Sequence, residues 1–75
     1  MIVYLVVMRV DGDECIEVYK NKEEAIIRFK EFVIDSGILN NKKFKINADN
    51  KYFYNATDLE NGSEVIIYLD DRIVL

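Results

Sequence analysis

Residues 1–10 read M-I-V-Y-L-V-V-M-R-V, apolar at both alternating sets of positions. A strand with that pattern has to be covered on both faces. The segment V-I-I-Y at residues 65–68 has the same character. Only one stretch, about Lys22 to Ser36, carries a helical period. One helix covers one face of a sheet. The chain is therefore expected to hold more apolar sheet surface than it can bury alone. A second copy or another protein would have to meet the remainder.

The rest of the chain fits that frame. Asp11-Gly12-Asp13 is a hairpin signal. Glu14 to Lys20 alternates, with Ile16 and Val18 on one side and Cys15, Glu17 and Tyr19 on the other. Asn21 is suited to cap the helix, with Glu24 three residues on as a capping-box partner. Gly37 is placed to end the helix in a left-handed conformation, with Ile38 adding an apolar contact. At 100° per residue, Ala25, Ile26, Phe29, Phe32 and Val33 fall within an arc of about 120°, which should pack on the sheet. Ile27 and Ile34 fall nearly opposite, on the side of Glu24 and Glu31. Ile27, Ile34 and Glu31 are the expected protein interface.

Lys43 to Ala48 alternates and is expected as a third strand, with Phe44, Ile46 and Ala48 on one face. Asp49-Asn50 is a turn and Lys51 to Thr57 a fourth strand. Asn61-Gly62 is a second hairpin turn. Glu64 to Leu69 is a fifth strand, ended by Asp70-Asp71, with a short extension from Ile73. The expected fold is α+β, in the order ββαβββ: one domain over residues 1–75, an antiparallel sheet with one helix packed across one face.

A chain of 75 residues has a marginal core. Disulfides and metals are the usual staples for such domains. With one cysteine and no histidine, neither is expected here. Packing or self-association is left to supply stability. The apolar start is too short to span a bilayer. It also lacks the basic flank and cleavage site of a secretion signal. Together with a lone thiol, this leads us to expect a reducing cytoplasm. A net charge of −4 argues against duplex DNA as a partner.

Candidate chemistry is sparse. Without histidine the commonest general base is missing. Glu14 and Glu17 flank Cys15 in a way that disfavours its thiolate, so a buried or half-buried structural role is expected. Asp11, Asp13 and Glu14 are too crowded for a calcium loop. No enzyme activity, metal or cofactor is expected. One polar cluster stands out: Lys43, Lys45 and Asn47 on one strand, then Lys51, Tyr52 and Tyr54 on the next. If the register puts them on one side, lysines could pair phosphates and tyrosines could stack bases. A small nucleotide is the alternative partner.

Tyr4-Leu5-Val6-Val7, the acidic hairpin, Ile16-Glu17-Val18-Tyr19 and Asn21-Lys22-Glu23-Glu24-Ala25 together resemble a pattern recurrent in small proteins of bacteria and their phages. There a strand hairpin leads into a "KEEA" helix. The resemblance covers residues 1 to about 35. In size and class the chain is also similar to phage-encoded anti-defence proteins. These either block a defence protein directly, as anti-CRISPR proteins do, or sequester a nucleotide signal as oligomeric sponges. What this similarity in size and class implies is an inhibitor of a protein of a bacterial host, with the sponge as its rival.

Overall fold

The computed structural model describes residues 1–37 and 41–74. The elements are β1 (Ile2–Val10), β2 (Asp13–Tyr19), α1 (Lys22–Asp35), β3 (Phe44–Asp49), β4 (Phe53–Asp58) and β5 (Glu64–Ile73). The strands form one antiparallel sheet in the order β2-β1-β5-β4-β3. This is the expected α+β fold in the order ββαβββ. The two strands that read as apolar on both faces, β1 and β5, are neighbours in the interior of the sheet.

The β1–β2 turn holds Asp11 at φ 50 and Gly12 at φ 85. Two consecutive positive φ values match the right-handed twist of the flanking strands. Asp tolerates that conformation and Gly adopts it freely. The Asn21 carbonyl and side chain then start the helix. Asn21 Oδ1 accepts from the backbone N–H of Glu23 at 2.8 Å and of Glu24 at 3.3 Å. Glu24 makes no return bond to Asn21 among the described residues, so the cap is one-sided rather than a full box. Ser36 ends the helix, and Gly37 follows at φ 71. The expected contact of Ile38 lies outside the described residues.

Ala25, Phe29, Phe32 and Val33 are buried on the sheet, and Ile26 is half-buried. They pack on Val6, Tyr54, Ala56, Val65 and Ile67. Tyr4, Met8, Tyr19, Phe44 and Leu69 ring this core. Each large apolar side chain so buried stabilises the fold by about 1.5–3 kcal/mol. The result has only two layers. The radius of gyration is 12.9 Å, against about 11 Å for a compact domain of this length.

Four expectations are corrected. Asp70-Asp71 does not end β5, which runs on to Ile73 and pairs with β1 as far as Ile2. The apolar start of β1 supplies a full row of backbone partners, and that ladder outweighs the poor strand propensity of aspartate. β3 carries a bulge between Ile46 and Ala48, so Ala48 leaves the face of Ile46. β4 starts at Phe53, leaving Lys51 and Tyr52 in the preceding turn. Cys15 is exposed, because β2 is an edge strand with a neighbour on one side only.

Candidate functional site

The register sorts the sheet residues into two faces. Val6, Met8, Tyr54, Ala56, Val65 and Ile67 lie under α1. On the opposite face, Ile16 pairs with Val7, Val7 with Tyr68, and Tyr68 with Phe53. These four form one apolar row across four strands. Cross-strand neighbours of this kind touch directly. Val18 and Leu5 extend the row on one side, and Ile66 on the other. Nothing among the described residues covers this face. Val7, at its centre, is only 2% exposed, whereas Ile16 and Val18 are open to solvent.

Strand β2 shows the sense of the arrangement most clearly. Its apolar residues, Ile16 and Val18, point away from the helix. Glu17 and Tyr19 point toward the helix, while Glu14, near the start of the strand, lies on the open face beside Arg9. Arg28 grips the Glu17 carboxylate with two bonds, Nε to Oε1 at 3.0 Å and Nη2 to Oε2 at 3.1 Å. The Tyr19 hydroxyl donates to Glu17 Oε1 at 2.5 Å. These bonds, Arg28 first, hold the Glu17 carboxyl below its usual range, and the Tyr19 phenol is raised in return. Arg28 also reaches Glu31 at 3.0 Å and lies over the Phe32 ring. An edge strand facing water on its outer side normally shows the reverse polarity.

Polar pairs rim the row. Arg9 pairs with Glu14 at 2.5 Å, and Arg72 with Asp70 at 3.1 Å. Asn47 Nδ2 donates to Asn55 Oδ1 at 3.0 Å and Thr57 Oγ1 at 2.7 Å. An apolar centre inside a satisfied polar rim is the composition of a protein interface.

The residues singled out in the sequence scatter in part. Ile27 and Ile34 are exposed on the outer side of α1, as their helical phase requires. Glu31 lies between them, in its bond to Arg28. The lysine–tyrosine set is not brought together. Lys45 and Asn47 lie on the open side at the β3 edge, paired across to β4. Lys43 reaches the buried Asp58 at 3.5 Å. The Asp58 carboxyl is held low, first by the backbone N–H of Glu60. Tyr54 is 1% exposed beneath the helix, on the face opposite Lys45, so its ring is closed to stacking. Lys51 and Tyr52 remain adjacent, and Lys22 joins them from the helix start. The two ammonium groups sit 5.4 and 5.6 Å from the ring centroid.

Lys22 was not foreseen, because nothing in its own segment links it to a turn thirty residues away. The Tyr52 hydroxyl is held below its usual range by Lys51, with a smaller effect from Lys22. Beside this group is a cavity of about 150 Å³ whose wall includes Asp70 and Asp71. Two carboxylates there oppose a phosphate. A larger cleft, of about 360 Å³, separates Val33 and Ile34 from the turn at Asp49 and Lys51, with Tyr54 below. The Tyr54 hydroxyl is buried without a hydrogen-bond partner among the described residues. Burial raises its pKa, and the Asp49 charge adds to that.

No family model, curated protein or solved structure matches the chain. Among the described residues, no helix is long and apolar enough to cross a membrane, and no three acidic or thiol side chains converge as metal ligands.

Proposed function

We propose that this chain acts by binding protein rather than by catalysis, with the open face of its sheet as an interior surface that another polypeptide covers. The observation that carries the reading is the row Ile16–Val7–Tyr68–Phe53, together with the outward polarity of β2. Contiguous apolar surface within a polar rim marks contact sites on soluble proteins. On the far side of the molecule, Ile27 and Ile34 flank the Arg28–Glu31 pair and offer a second, smaller surface for a host protein. The biological form of the proposal is an inhibitor that blocks a host defence protein, the role implied by the chain's similarity in size and class to phage-encoded anti-defence proteins. The lysine–tyrosine reading loses support, since Tyr54 is buried and Lys43 is engaged.

Carbene labelling tests this reading. In concentrated cell extract, Ile16, Val18 and Phe53 should label several-fold less than in the purified chain at high dilution. Equal labelling in the two states would mean that no polypeptide covers the face, and the reading would fall.

A further inference from the structure

We infer that the polypeptide covering the open sheet face is a second copy of this chain, packed face to face about a two-fold axis near Val7 and Tyr68. The inference rests on the reading of that face as an interior surface.

Size is the first argument. Five strands at about 4.8 Å spacing, about 25 Å long on average, give a footprint of about 600 Å². A stable interface takes about 600–1,000 Å² from each partner. The whole face is therefore needed, and a partner of equal extent meets that need. The molecule also exposes 5156 Å², against about 4,800 Å² for a compact monomer of its mass.

Self-complementarity is the second. In a two-fold interface the same patch meets itself. A central apolar row satisfies that condition, because apolar meets apolar whichever strand lies above. The charges at its margins arrive already paired, Arg9 with Glu14 and Arg72 with Asp70. Association then desolvates these two pairs without separating them, while Lys45 and Glu64, which have no ion-pair partner among the described residues, lie at the β3 end of the face, away from the Val7–Tyr68 centre.

The third argument is stability. This chain has one cysteine and no histidine. Two sheets stacked about 10 Å apart would complete a helix–sheet–sheet–helix stack with a core of normal depth. Both helices then face outward, leaving Ile27 and Ile34 of each copy free for a foreign protein.

Light scattering during size exclusion tests the inference on the intact chain. At about 0.1 mM the particle should have twice the 8.8 kDa chain mass and should dissociate on dilution. Ile16→Asp with Val18→Asp should give a folded chain of single mass, while Ile27→Asp with Ile34→Asp should stay double. If the sheet variant fails to fold, the dilution series on the unaltered chain still decides. A single mass throughout overturns the inference. If extract labelling still shows protection, the cover is foreign and the broader reading stands. If protection is absent as well, both fall.

Discussion

Both faces of the sheet have an apolar centre, yet only one meets a helix. Under α1, Val6, Tyr54, Ala56, Val65 and Ile67 are sealed by Phe29, Phe32 and Val33. On the other side, Val7, Tyr68 and Ile66 are of similar bulk, but Ile16, Val18 and Phe53 beside them stand open. At the centre the difference lies in coverage; at the margins the open face is polar, with Arg9, Asp70, Asn55 and Thr57. A sheet meant for water on one side alternates apolar with polar residues. β1 and the middle of β5 do not alternate, although β4 does, with Asn55 and Thr57 on the open side; on β2, Glu17 faces the helix while Ile16 and Val18 face out. An uncovered apolar centre of this kind implies a core completed by association.

The largest effect should come from opening the covered face. Phe29→Ala should destabilise the fold by about 3–5 kcal/mol, a large part of the stability of so small a domain, read from the urea midpoint. On the open face, Ile16→Asp with Val18→Asp should leave the circular dichroism spectrum intact. It should abolish the concentration dependence of the thermal midpoint, which a dimer has and a monomer lacks. Loss of the spectrum instead would make the two faces equivalent for folding.

Smaller effects sharpen the contrast. Tyr54→Phe removes a buried hydroxyl with no partner among the described residues and should raise stability by about 1 kcal/mol. A lower stability would reveal a partner for the hydroxyl. Smallest of all is Glu17→Gln. The Glu17 carboxyl is held low by Arg28 and Tyr19 in the folded state. Its contribution is therefore present above the ordinary carboxylate range and lost as pH falls through the lowered folded value. The variant should flatten that part of the acid limb of a stability-against-pH curve, by lowering the neutral plateau slightly while leaving the acid end unchanged. A curve that keeps its full slope would remove Glu17 from the account of β2.

Much of the fold was legible because its signals are local. The doubly apolar segments mark interior strands, Asp11-Gly12 a tight turn, and Asn21 and Gly37 the ends of α1. The helical phase put Ile27 and Ile34 outside. The site was less legible, because a period of two divides a strand into two faces without saying which one the helix takes. That choice depends on strand order and register, so Tyr54 could be paired with Tyr52 in sequence and still be buried apart from Lys45. The bulge at Asn47 and the run of β5 through Asp70 and Asp71 are likewise set by neighbouring strands. Lys22 meets Tyr52 only through the tertiary fold.

Four side chains allow the most direct test. In the isolated chain Ile16 and Val18 are 51% and 60% exposed, and Ile27 and Ile34 are 58% and 64% exposed. Their methyl resonances can be followed in the purified protein as a soluble gadolinium chelate is added. If a second copy covers the sheet face, Ile16 and Val18 will be shielded while Ile27 and Ile34 broaden. Equal broadening of all four would contradict it.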